Sequence, residues 1–165
     1  MKLQHLLLIL MIASPNANAC GMHQGTGFSF VSEPGSLEVF GNVVDIRKFN
    51  VLGNVNKAEN VELLSFKKAL NKPHENKQNF SIFEATKGHY SDVTVGNGVL
   101  ISARESSITE QDLLLITDLD VLDALASNVL SWRQAKHFGL VKINGSSDEA
   151  DALELWLTAL FPDSE

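Results

Sequence analysis

The chain is poor in the residues that usually declare a chemistry. It has one cysteine, one tyrosine, two tryptophans and four prolines in 165 residues. A single thiol, Cys20, excludes a disulfide within the chain and excludes zinc sites built on paired cysteines. Glycine-rich phosphate loops and the Gly-x-Ser-x-Gly turn of serine hydrolases are absent as well. Basic residues are in the minority, 13 against 20 acidic, so the chain lacks the basic face that phosphate contact requires, and nucleic acid is not an expected partner. Long apolar runs are missing too. Leu6 to Ile12 is unbroken but far short of the roughly 20 residues that span a bilayer.

What that short run does resemble is an export signal. Lys2 supplies a basic start, Pro15 ends the apolar stretch, and Ala17-Asn18-Ala19 places small residues at the usual cleavage spacing. The expectation is a signal peptide over 1–19 and a single α/β domain over 20–165, placed in the periplasm or secreted. The alternative is a lipoprotein held at the membrane through a lipidated Cys20, and contact with membrane is expected only in that case. Ala17 and Asn18 fit a lipoprotein signal poorly. A domain of this size can bury about 70% of its extended surface, so it needs no covalent staple. Without Lys2 the chain carries 12 basic and 20 acidic side chains, and the acid is concentrated after residue 104. We take this as solubility rather than a cation site.

The stretch Asp112 to Gly145 carries the clearest structural signals. Leu113 to Ile116 is a continuous apolar run, as in a strand covered on both faces. Asp118 is placed to cap a helix containing Val121, Leu122 and Leu125. Ser131 and Gln134 have capping-box spacing. Gly139 stands where a helix stop wants a left-handed residue. Leu140, Val141 and Ile143 form a short strand ending at Asn144-Gly145. Ser146 and Glu149 repeat the capping-box spacing before a last helix that carries Leu153, Trp156, Leu157 and Leu160 on one stripe and stops at Pro162.

Upstream signals are weaker. Gly21, Gly25 and Gly27 punctuate an irregular start in which Phe28 and Phe30 alternate as in a short strand. Pro34-Gly35-Ser36 predicts a turn into a helix with Ser36 as N-cap. Val39, Phe40, Val43 and Val44 form its apolar stripe, Gly41 weakens it, and Gly53-Asn54 ends the segment. A second helix is predicted from Ala58 to Asn71, with Val61, Leu63, Leu64, Phe66 and Leu70 on its apolar face and Pro73 as its stop. Phe80, Ile82 and Phe83 begin a strand. Tyr90–Val95 and Gly98–Ser102 flank Gly96-Asn97, a hairpin signal because both residues accept positive φ.

From Asp112 onward the pattern resembles the C-terminal part of the sterol carrier protein fold. There a strand, a helix, a short helix, a strand ending in glycine and a last helix follow one another. The matching residues are Leu122, Leu125, Leu130, Ala135, Gly139, Val141, Ile143 and Gly145, and the likeness covers about a third of the chain. Asn128 stands where that family usually has glycine, and residues 20–80 show no match. The resemblance implies a small mixed or antiparallel sheet covered by helices, and an apolar ligand such as a lipid. The whole chain is also similar to small exported bacterial proteins that begin Cys-Gly-aromatic-His after the signal.

Three functional readings follow. The leading one is a noncatalytic binding protein for an apolar small molecule or a protein partner, with Trp132, Phe138 and Trp156 as the candidate ligand residues, although tryptophans are more often core. The second is copper or haem-related binding through Cys20, Met22 and His23, since a thiolate, a thioether and an imidazole suit Cu(I). The third is a Cys–His hydrolase in which Cys20 pairs with His23 or His89, and Asp92 or Glu84 orients the imidazole. A terminal cysteine is a poor platform for preorganised catalysis, so this reading ranks last.

Overall fold

In the computed structural model, residues 32–54, 57–106, 108–109 and 111–163 are described. The signal segment, the group Cys20, Met22 and His23, and the strand expected around Phe28 and Phe30 lie outside them.

The two most apolar strands pair in the middle of a mixed sheet. β1 (Phe80–Glu84) and β4 (Leu114–Thr117) run parallel, with Ile82 opposite Leu115 and Glu84 opposite Thr117. β2 (His89–Val95) pairs antiparallel with β1, and β3 (Val99–Arg104) with β2. β5 (Lys142–Asn144) pairs antiparallel with β4, which gives the order β3-β2-β1-β4-β5. Every residue of β1 and β4 is buried, as the continuous apolar run at Leu113–Ile116 predicts for a strand covered on both faces. The fold is therefore α+β, and between the expected alternatives the sheet is mixed.

Register shows what covers each face. Phe80, Ile82 and Leu115 share one face. Trp156 of α5 (Ser147–Leu160) packs edge-on against Phe80 at 6.1 Å, so α5 lies there. α2 (Glu59–Leu70) crosses the same side. Its Phe66 stacks on Phe161 at 5.9 Å, and Asn71 Oδ1 at its end accepts from the Val99 N–H at 3.0 Å. Leu114 and Ile116 point the other way, together with Asn144 and Lys142. Asn144 Nδ2 donates to the Pro34 carbonyl at 3.0 Å, and the Lys142 side chain runs against Gly35, so α1 (Ser36–Lys48) covers this second face with Val39 and Val43. Each fully buried leucine or valine contributes about 1.5–3 kcal/mol to this sandwich.

Three of the C-terminal signals form as predicted, while the strand expected from Leu140 narrows to β5, Lys142–Asn144. α3 (Leu119–Ala126) is capped by Asp118, whose carboxylate accepts the Leu119 N–H at 3.3 Å. α4 (Trp132–His137) begins with the Ser131–Gln134 capping box, at 3.1 and 2.9 Å. Gly139 takes φ 64 at the helix stop, and Asn128 takes φ 59 between α3 and α4, a conformation that asparagine tolerates better than other non-glycine residues.

Five other expectations are corrected. Gly35, at φ 87, is the N-cap of α1, while Ser36 lies inside the helix with its Oγ accepting the Glu33 N–H at 3.1 Å. α1 ends at Lys48, well before Gly53, and Asn50 takes a positive φ beyond it. α2 buries Glu62, Phe66, Ala69 and Leu70 and leaves Val61 and Leu64 exposed. Between β2 and β3 neither Gly96 nor Asn97 adopts positive φ; the turn closes instead with the Gly96 N–H donating to the Gly98 carbonyl at 3.0 Å. Before α5 the Ser146 hydroxyl donates to Glu149 Oε2 at 2.6 Å, so two side chains satisfy each other and neither caps the backbone.

Candidate functional site: a charged cavity at the sheet edge

The parallel strands β1 and β4 end side by side, and both chains then turn away from the sheet. In α/β sheets this carboxyl edge is where clefts open. A cavity of about 300 Å³ lies there, with Arg47, Leu52, Lys57, Glu62, Lys87, Asp118, Leu119 and Asp120 among its walls. α1 contributes its last turn, α2 its first, the β1–β2 turn Lys87, and α3 its capped start.

Its cations are all engaged. Arg47 Nη2 donates to Asp118 Oδ1 at 3.1 Å, and Nε donates to Asp120 Oδ2 at 2.6 Å. Lys57 Nζ reaches both oxygens of Asp123, at 2.8 and 2.7 Å. Asn54 Nδ2 donates to the same carboxylate at 3.1 Å and to the Asp120 carbonyl at 2.7 Å. Lys87 Nζ lies 2.5 Å from Glu59 and 3.2 Å from Glu84. Asp118 is satisfied further by the Thr86 N–H at 3.0 Å, which ties the end of β4 to the turn after β1.

Two carboxylates stand apart. Glu62 lines the cavity at 6% exposure and accepts no hydrogen bond among the described residues. Burial, then the charges of Asp120 and Asp123, push its pKa up to about 7. Glu84 is 7% exposed. Its Oε2 has an ion-pair contact with Lys87 but receives no hydrogen bond, because distance alone does not align a donor. Burial raises the pKa of Glu84 against the opposing pull of Lys87. The cavity thus holds one carboxyl without a partner among the described residues, Glu62, beside saturated cations, while Glu84 lies outside its walls. The described residues contain no cluster of three or more His, Cys, Asp or Glu side chains placed to hold a metal ion.

The candidates singled out in the sequence lie elsewhere. Trp132 and Trp156 are 1% and 0% exposed and belong to the core, and each indole N–H is buried without an acceptor among the described residues. Phe138 is exposed just past α4. None of these three lines the cavity. His89 opens β2 opposite Glu84, so Glu84 can face that imidazole. Asp92 cannot, because it lies three residues along the strand on the opposite face. There it accepts from Ser81 Oγ at 2.7 Å and pairs with Arg104 at 3.3 Å. Tyr90, beside it, is held by a hydrogen bond to Glu33 and packs on Phe83 at 4.9 Å. Cys20, Met22 and His23 lie outside the described residues.

The one sequence signal for Glu62 was its spacing. It stands four residues before Phe66 and eight before Leu70, on the stripe that α2 buries. No family model matches this chain, and no curated protein or solved structure matches it.

Proposed function

We propose that this chain is an exported, noncatalytic binding protein that holds a small ligand in the cavity at the carboxyl edge of β1 and β4. One observation carries the reading. Glu62 stands in the wall of a concave site, on a residue otherwise buried, and its carboxyl has no partner among the described residues, an arrangement that clusters at functional sites. The polar groups around it are ion-paired cations, amides and carboxylates, a set suited to holding a charge rather than attacking a bond. Leu52 and Leu119 add apolar wall. A concave site of this kind favours a small molecule over a protein partner, and its volume lies at the low end of ligand sites.

The order β4, α3, α4, β5, α5 is the one that the sterol-carrier-like resemblance expects, and that resemblance implies an apolar ligand. With this lining, an apolar ligand would also have to meet a carboxylate. Export rests on residues 1–19 alone, and the place of action is the periplasm or the exterior. The copper or haem-related reading rests wholly on Cys20, Met22 and His23. Native mass spectrometry of protein purified from cells, followed by NMR shift mapping with the recovered compound, tests the reading. Shifts centred on Leu52, Glu62 and Lys87 are expected. Shifts centred on another part of the molecule overturn it.

A further inference from the structure

We propose that the cavity takes a small organic cation, a primary ammonium or amidinium on a short aliphatic body, with the Glu62 carboxylate as its ion-pair partner. This rests on the binding reading above and names the chemical class of the ligand.

The charge inventory of the cavity carries the inference. Arg47, Lys57 and Lys87 each already contact carboxylate oxygens within 3.2 Å, so an incoming anion would have to break an existing ion pair before finding a cation. An incoming cation meets the reverse situation. Glu62 lines the cavity and has no partner among the described residues. The charged groups facing Glu62 are Asp120 and Asp123 from α3, Lys87 from the β1–β2 turn and Glu59 from its own helix. With Glu62 ionised the lining carries four carboxylates, Glu59, Glu62, Asp118 and Asp120, against three cations, Arg47, Lys57 and Lys87, so the balance favours an incoming positive charge.

Size and lining narrow the class. A cavity of about 300 Å³ has room for a handful of heavy atoms. Leu52 and Leu119 offer contact to methylenes and nothing to a second charge. A bare divalent ion is a poorer fit. It wants six or more oxygens, and Asp118 and Asp123 are already filled by arginine, lysine, amide and backbone donors. An ammonium needs one carboxylate and finds it in a partly dry site, where a charge-assisted hydrogen bond is about twice as strong as a neutral one.

Three probes with one aliphatic body separate the possibilities: n-butylammonium, n-butanol and n-butyrate, each titrated into the full mature protein at pH 8 and followed by amide shifts. Butylammonium is expected to shift Leu52, Glu62 and Lys87 and to bind at least roughly tenfold tighter than butanol, with butyrate weakest. Glu62→Gln should bring butylammonium down to the level of butanol, while the exposed Glu38→Gln should leave it unchanged. The wild-type protein offers a second readout that needs no variant. Saturating butylammonium should lower the titration midpoint of the Glu62 carboxyl carbon, and an unmoved midpoint overturns the assignment. Equal binding of butanol, or preference for butyrate, overturns the cationic class while leaving the cavity as a ligand site. Shifts from none of the three overturn both readings.

Discussion

Lys57 grips both oxygens of Asp123, at 2.8 and 2.7 Å, and so fastens the start of α2 to the middle of α3. The two ends of this pair are unequal. Asp123 is 1% exposed and Lys57 is 39% exposed. Removing the lysine strands a charge, whereas removing the carboxylate releases a lysine to water. Breaking a buried pair from the side that leaves the charge inside costs about 3–5 kcal/mol when both partners are dry, and less here because Lys57 is half in solvent. We expect Lys57→Ala to lose about 2–3 kcal/mol in urea unfolding and Asp123→Asn about 1 kcal/mol. Adding Asp123→Asn to Lys57→Ala should recover part of the first loss. A double variant as unstable as the sum of the singles would show that the pair is not the source.

Glu62 imposes a pH dependence of known sign. Its folded pKa, about 7, lies above the usual value of 4.5. The native state therefore holds its proton longer than the unfolded state, and the protonated form is the one that folding favours. Stability from this group is fully present below about pH 4.5 and is lost as pH rises toward and through 7. In an open cavity the loss is on the order of 2 kcal/mol. Glu62→Gln mimics the protonated form, so it should raise stability at pH 8 by about that amount and leave stability at pH 4 nearly unchanged. Paired urea titrations at the two pH values check this. A variant equally shifted at both would mean that the carboxyl does not titrate as its surroundings dictate.

The same residue shows where sequence reasoning reached and where it stopped. The C-terminal elements were legible because their causes are local. Asp118 bonds the next residue's amide, Ser131 and Gln134 bond each other's backbone, and Gly139 supplies its own left-handed turn. The buried central strand was legible from its apolar run. α2 was misjudged because it offers two apolar stripes of similar strength. Which one turns inward was decided by Phe161 waiting for Phe66, a partner about a hundred residues away. The cavity was invisible for a related reason: Arg47, Glu62, Lys87 and Asp118 come from four segments, and none carries a short-range signature. The tryptophans, in contrast, stood out by residue type, and both went to the core.

Two glycines make opposite predictions from the same chemistry. Gly41 lies inside α1 with open space where a Cβ would stand, so glycine there only adds entropy to the unfolded chain. Gly41→Ala should stabilise by about 0.5–1 kcal/mol. Gly139 sits at φ 64, and a Cβ there would press on the Asn42 amide, whose Nδ2 donates to the Gly139 carbonyl at 3.2 Å. Gly139→Ala should cost about 1–3 kcal/mol, from left-handed strain and displacement of Asn42. Thermal unfolding of the two variants should move the midpoint in opposite directions. A shift of the same sign for both would contradict the placement of one of them.

Asp118 is the junction at which sheet, turn and helices meet, and its partners can be ranked. Its carboxylate, 2% exposed, accepts from Arg47 Nη2 at 3.1 Å, from the Leu119 N–H at 3.3 Å and from the Thr86 N–H at 3.0 Å. Arg47 is 37% exposed and keeps Asp120 as a second partner, so its share of the junction is screened and replaceable. The two backbone amides have no such recourse, and losing a buried acceptor costs roughly 1–3 kcal/mol per stranded donor. We therefore expect Asp118→Ala to lose about 2–4 kcal/mol and Arg47→Gln no more than about 1 kcal/mol. Hydrogen exchange supplies the local readout. The Thr86 amide should exchange faster in Asp118→Ala and at the wild-type rate in Arg47→Gln. Equal losses in the two variants, with Thr86 still protected in both, would put the ion pair and not the amide bonds in charge of this edge. The cavity that opens beside it would then depend on Arg47 for its shape.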